Sequence, residues 1–175
     1  MSLHKNHLIK LTCFLAIAIS LGACGYQPLH GKRKTAQNIA MSQALSTVWI
    51  DEIEDREGQL LHNELLALFN TKGRPRNPKY RLAVYYSESS AGLGIGKDEF
   101  ATRTNLIVNA KFNLTGNNKL SGTSQSVVSY NILTSPTGTE FARRDARLRA
   151  IKQVATDIHR RIAVHLLNAK PEEDK

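Results

Sequence analysis

Residues 100–114, "FATRTNLIVNAKFNL", alternate for fifteen positions. One parity is Phe100, Thr102, Thr104, Leu106, Val108, Ala110, Phe112 and Leu114, while the other includes Arg103, Asn105, Asn109, Lys111 and Asn113. A helix cannot gather residues of period two on one face, so this run predicts a strand of roughly 50 Å at about 3.3 Å per residue. "TGNNK", residues 115–119, supplies a turn, and Leu120, Gly122, Ser124, Ser126, Val128, Tyr130 and Ile132 run back with the same, weaker period. Residues 100–132 therefore read as one long hairpin. Such a hairpin outruns a domain of this size, so its tip at 116–119 is expected to project.

The remaining elements must cover that hairpin's apolar face. "LSTVWIDEI", residues 45–53, is a strand candidate rich in β-branched and aromatic residues. In "EDREGQLLHNELLALFN", Leu61, Leu65, Leu68 and Phe69 fall at helical spacing. Gly73, Pro75 and Pro78 then mark a loop, and Tyr80, Leu82, Val84 and Tyr86 alternate as another strand. Near the C-terminus, Leu148, Ile151, Ala155, Ile158, Ile162 and Leu166 form one stripe of a long helix, with most of the arginines elsewhere. The predicted fold class is α+β: two helices packed on one face of a four-stranded sheet with long strands, an αβ sandwich.

The front of the chain has a different character. Residues 1–10 carry Lys5 and Lys10 without an acidic residue, and residues 11–23 form an apolar run closing on small residues. This is the order of an export signal, and the run is shorter than the roughly 17 residues a membrane-spanning helix needs. Leu21-Gly22-Ala23-Cys24 resembles the bacterial lipobox, in which a small pair ahead of a thiol lets a peptidase grip the backbone closely. Cys24 is thus the expected lipidation site and mature N-terminus, with Gly25 in place of the aspartate that retains lipoproteins at the inner membrane. With Cys13 lost in the signal and Cys24 acylated, no disulfide pair remains. The expected divisions are a signal peptide at 1–23, a lipidated tether at 24–40, one domain at 41–170 and an acidic tail at 171–175.

Charge narrows the partners. The chain holds 24 Lys and Arg against 15 Asp and Glu; without Lys5 and Lys10 the mature chain has 22 against 15, a net +7. That excess favours an anionic partner such as a lipid phosphate or an acidic protein wall, and export argues against nucleic acid. Enzymatic chemistry finds no footing. "GLGIG" at 92–96 leads into a strand rather than opening a helix, so it reads as an inter-strand loop and not a nucleotide cradle. His62, His159 and His165 are too scattered for a metal site, and the acidic cluster from Asp51 to Glu57 lacks calcium-loop spacing. No catalytic residue, metal or cofactor is expected.

"CGYQPL" from Cys24, the strand leading into "DREGQLLHNEL", two further long strands and a long C-terminal helix resemble the LptE family of lipopolysaccharide-assembly lipoproteins in its alphaproteobacterial form. The resemblance implies a lipid-anchored protein on the periplasmic side of the outer membrane. It would plug and support assembly of the LptD β-barrel and take part in inserting lipopolysaccharide into the outer leaflet. Implied partners are the LptD-like barrel, lipopolysaccharide and the bilayer. Because lipopolysaccharide presents phosphates and carboxylates, Lys119 near the hairpin tip, with Lys97 and Arg103 at the opposite end, are candidate ligand-binding residues. The alternative of a different class is an auxiliary lipoprotein of a phospholipid-handling ABC transport system, and a pilotin-like chaperone is third.

Overall fold

The computed structural model describes residues 36–95 and 101–168. In chain order the elements are α1 (Ala36–Ser46), β1 (Val48–Ile50), α2 (Arg56–Phe69), β2 (Tyr80–Ile95), β3 (Ala101–Thr115), β4 (Leu120–Asn131) and α3 (Pro136–Asn168). Among these residues the four strands form one sheet in the order β1-β2-β3-β4. β2, β3 and β4 are an antiparallel meander, whereas β1 pairs parallel with the first residues of β2, Val48 opposite Tyr80 and Ile50 opposite Leu82. Helix α2 provides the crossover that a parallel pair requires.

The alternation has the predicted outcome over 103–114. Leu106, Val108, Ala110, Phe112 and Leu114 are buried on the helix-covered face, joined by Leu82 and Val84 from β2. Helix α2 contributes Leu61, Leu65 and Phe69, and α3 contributes Ile151, Val154, Ile158 and Ile162 with several alanines. Leu148 departs from the expected stripe and is exposed, because small Ala146 and Ala150 occupy the buried positions around it. Helix α3 begins at Pro136, a residue suited to a first turn whose N–H has no helical partner. The Ser135 hydroxyl accepts the Gly138 N–H there at 3.3 Å.

Two helices on a sandwich was the wrong architecture: three helices are present among the described residues, and the sheet is an open layer. Residues 36–40, read as tether, and Leu45, read as strand, belong to α1. Its sequence, "AQNIAMSQALS", has good helix formers but no marked apolar stripe, so periodicity did not reveal it. Leu45 is buried, and α1 packs against α3. β1 shrinks accordingly to three residues.

The glycine-rich stretch is a second correction, since β2 continues through Gly92–Ile95 and Ile95 pairs with Ala101. "SESSAGLGI" has no alternation of its own, and its register is imposed by β3. The hairpin tip is a third. At Gly116 an added Cβ would lie 2.7 Å from the Lys79 carbonyl oxygen and 2.8 Å from the Tyr80 ring, so the turn is seated against the start of β2 rather than standing free.

Candidate functional site

The helix-covered face is closed by polar clasps. Arg147 on α3 reaches across to Glu88 on β2 with Nε to Oε2 at 2.7 Å and Nη2 to Oε1 at 2.6 Å, and it lies 3.6 Å from Glu57 on α2. Tyr86 donates its hydroxyl to the same carboxylate at 2.7 Å. The Arg147 hydrogen bonds hold the Glu88 carboxyl below its ordinary range against the opposing effect of partial burial. Burial first, and then the neighbouring Glu88, push the Tyr86 phenol up. On β4 the inward Ser124 and Ser126 donate to Asp157 and Gln153 of α3 at 2.8 and 2.6 Å. Burial raises the Asp157 pKa, but hydrogen bonds from Ser124, Arg160 and Arg161 outweigh it, and the net shift is downward. These groups are committed to joining helices to sheet.

The opposite face of the sheet has no helix on it among the described residues. Asn105, Asn109 and Asn113 recur there every fourth residue along β3, and each amide oxygen accepts from its β4 neighbour. The donors are Ser129 at 2.6 Å, Gln125 at 2.8 Å and Ser121 at 2.9 Å. This ladder fixes the side chains while leaving the Asn Nδ2 donors for a partner. Tyr85, 72 % exposed, lies opposite Lys111 on the same face, and Val127 beside Ile107 gives a small apolar step. The surface can therefore dock on a polar wall by hydrogen bonding, with one aromatic and one cationic anchor.

The row Trp49, Arg81 and Thr115 ends this face beside the loop 71–79. Arg74 stands over the Trp49 ring at 5.6 Å and donates from Nη2 to His62 Nε2 at 3.2 Å. Arginine has only donors, so Nε2 accepts and His62 Nδ1–H donates to the Asp51 carbonyl at 3.0 Å. The Arg81 Nε–H is shared by both Asp51 carboxylate oxygens at 2.7 and 2.9 Å, and that bond raises the Arg81 pKa. His62 is thus a structural tie. His159 meets the Phe69 ring edge-on at 4.9 Å.

The sequence-predicted ligand residues are not brought together. Lys119 is exposed on the 116–119 turn and Arg103 is exposed where β3 faces Asn131. Leu114 pairs with Leu120 at one end and Arg103 with Asn131 at the other, which separates the two by roughly 36 Å of strand. Lys97 and Cys24 lie outside the described residues. Sequence reasoning missed the asparagine ladder as a unit, although the spacing of 105, 109 and 113 held the signal. It also missed the convergence of Trp49 with the loop 71–79, which depends on the parallel β1–β2 pairing. No cluster able to hold a metal ion occurs among the described residues, and no described helix is long and apolar enough to cross a membrane.

Comparison with known proteins follows the fold. The family model described as "LptE: Lipopolysaccharide-assembly" matches residues 45–162. A Caulobacter crescentus crystal structure described as that of a lipoprotein is similar at 20 % identity and a TM-score of 0.61, covering 75 % of this chain and 98 % of that one. A minor lipoprotein from Acinetobacter baumannii is similar at 21 % identity and a TM-score of 0.54, covering 72 % and 98 %. Lipoprotein B from Nitrosomonas europaea, in a solution NMR structure, gives 11 % identity and a TM-score of 0.54, covering 79 % and 94 %. These likenesses establish a shared fold. No curated protein matches the sequence significantly.

Proposed function

The chain belongs to the LptE lipopolysaccharide-assembly family, and from that membership we propose that it acts as the plug of an LptD-like outer-membrane barrel and takes part in lipopolysaccharide insertion. It is a lipid-anchored lipoprotein of the outer membrane and not an enzyme. The observation that carries the proposal is the open sheet face, where the Asn105–Asn109–Asn113 ladder fixes a polar surface. Outer-membrane barrels turn polar side chains inward, so a lumen wall is a surface such a ladder can satisfy. In this reading residues 1–23 are removed as a signal peptide, Cys24 carries the lipid, residues 24–40 lead from the anchor, and 171–175 form an acidic tail. Lys119, Lys97 and Arg103 are proposed as separate contacts to lipopolysaccharide anions, since Lys119 and Arg103 lie too far apart to share one headgroup.

The test is affinity capture of the full-length lipoprotein from detergent-solubilised outer membrane, with photo-crosslinkers at Tyr85 and Gln125. A barrel of LptD type should co-purify and couple to both positions. Capture of phospholipid-transport components instead would favour the ABC-system reading. A barrel that co-purifies but couples to neither position would remove the open face from the interface.

A further inference from the structure

β4 is an outer strand of the sheet, and one hydrogen bond at the far side fixes which way its backbone groups point. The Asp51 N–H donates to the Leu82 carbonyl at 2.9 Å, so the even-numbered residues of β2 turn their backbone groups toward β1 and the odd-numbered ones toward β3. The registers Arg81 opposite Thr115 and Leu114 opposite Leu120 carry that alternation across the sheet, which leaves Ser121, Thr123, Gln125, Val127, Ser129 and Asn131 turned outward. The Arg161 side chain agrees, donating from Nη1 to the Thr123 carbonyl at 3.2 Å. Past that bond, the outward N–H and C=O groups of Gln125, Val127 and Ser129 have no partner among the described residues. We propose that this edge takes up an extended, acidic segment of a partner protein as an additional strand.

Sheets guard such edges with lysine, proline, a bulge or a very short strand. β1, at the other edge, has three residues. β4 has twelve, "LSGTSQSVVSYN", without a charge or a proline, and its register with β3 runs unbroken from Leu120 to Asn131. The flank of the edge selects the sign of the partner. Ser124 and Ser126 bond to Asp157 and Gln153 of α3, and that side of the helix continues outward through Arg149, Lys152, Thr156 and Arg160. Arg149 pairs with Asp145, Arg160 and Arg161 share Asp157, and Lys152 has no ion pair among the described residues, so the cations on this flank outnumber the carboxylates. On the other side of the edge Val127 stands exposed on the open face. A strand with carboxylates toward α3 and β-branched side chains beside Val127 satisfies both surfaces. Two copies of β4 joined edge to edge would set two cationic flanks against each other, which argues against a second copy of this chain. The inference stands on the edge and its flank and does not depend on the barrel reading.

The probe is a blocked peptide of about eight residues that alternates threonine and glutamate, matched to the free part of the edge. Full-length lipoprotein in neutral detergent should bind it saturably. Hydrogen exchange should then slow at Gln125, Val127 and Ser129, while Ser124, Ser126 and Val128, already turned toward β3, change little. The corresponding threonine–lysine peptide should bind about tenfold more weakly, and N-methylation of the acidic peptide's backbone, which keeps its charge and removes its donors, should cost about tenfold as well. Lys152→Glu should weaken the glutamate peptide and strengthen the lysine peptide. Val127→Pro removes an outward donor and no ladder bond, so it should fold by circular dichroism and bind more weakly than wild type; if it does not fold, the N-methylated peptide decides. Equal binding by the glutamate and lysine peptides, or by the parent and N-methylated ones, overturns the proposal. So does slow exchange at Gln125, Val127 and Ser129 before any peptide is added, or a wild-type dimer in light scattering that Val127→Pro converts to a monomer.

Discussion

Arg147 and Glu88, 59 positions apart in sequence, meet through two hydrogen bonds of 2.7 and 2.6 Å and lock the long helix to the second strand. The pairing makes stability depend on pH in a defined sense. The Glu88 carboxyl, usually near 4.5, is lowered in the fold, chiefly by Arg147. As pH falls the unfolded chain takes up the proton first, so the contribution is complete above about pH 4.5 and is lost as pH drops towards the lowered folded value. Asp157, lowered from its usual 3.8, acts in the same direction. Glu88→Gln should therefore unfold at a lower temperature than wild type at pH 6 and show a smaller further drop between pH 6 and pH 3.5. Thermal unfolding at both pH values checks this, and parallel curves for the two proteins would contradict it.

Leu106 and Asn109 sit on opposite faces of β3. Leu106 is fully buried, and Asn109 accepts from Gln125 on the open face. Leu106→Ala should cost about 2 to 5 kcal/mol, the range for emptying a leucine site in a packed core. Asn109→Ala should cost under about 1 kcal/mol, because a solvent-facing hydrogen bond is readily replaced by water. Denaturant unfolding of both variants checks the assignment, and the reverse order would place the helices on the wrong face.

Asp55 adopts φ 68° and ψ 163°, a region that essentially only glycine occupies without strain, and its side chain makes no capping hydrogen bond. Asp55→Gly should raise stability by about 1 kcal/mol, with relief of strain exceeding the added freedom of the unfolded chain. A fall in stability on chemical denaturation would show that the carboxylate near the α2 N-terminus matters more than the backbone.

Gly73 and Gly116 both have positive φ, 99° and 137°, but differ in their surroundings. An added Cβ at Gly73 meets nothing within 4 Å, whereas at Gly116 it meets the Lys79 backbone oxygen at 2.7 Å. Gly73→Ala should cost roughly 1 kcal/mol from backbone strain alone, and Gly116→Ala should cost at least about 1 kcal/mol more because a backbone atom must move. Equal unfolding midpoints for the two variants would mean that the turn is not seated against β2.

Regularity set what the sequence disclosed. Fifteen alternating residues determined the course of β3, the identity of its core face and the turn after it, because only one periodicity can place Leu106, Val108 and Phe112 together. The leucines of α2 and the isoleucines of α3 were legible for the same reason. Helix α1 was not, since its apolar residues follow no stripe and its packing against α3 joins elements distant in sequence. The extension of β2 through Gly92–Ile95 was hidden because its register belongs to β3. Ser124 and Ser126 looked like a weakened strand, yet they are the points at which Asp157 and Gln153 bind the sheet, a relation between residues about thirty positions apart. The convergence of Trp49 with the loop 71–79 was hidden for a related reason: a three-residue parallel strand brings together residues some thirty positions apart.

The last described element also completes the interior of the domain. Helix α3 supplies Ala146, Ala150, Ile151, Val154, Ala155, Ile158, Ile162 and Ala163 to the core, after every strand has been laid down. A chain delivered across a membrane N-terminus first would have its sheet assembled while Leu82, Leu106 and Phe112 still faced water. Until the final helix emerged, such an intermediate would present the sticky half of a divided core, the kind of surface that holding chaperones recognise and that aggregates without them. In such a delivery the domain would become safe only when its C-terminal portion arrives.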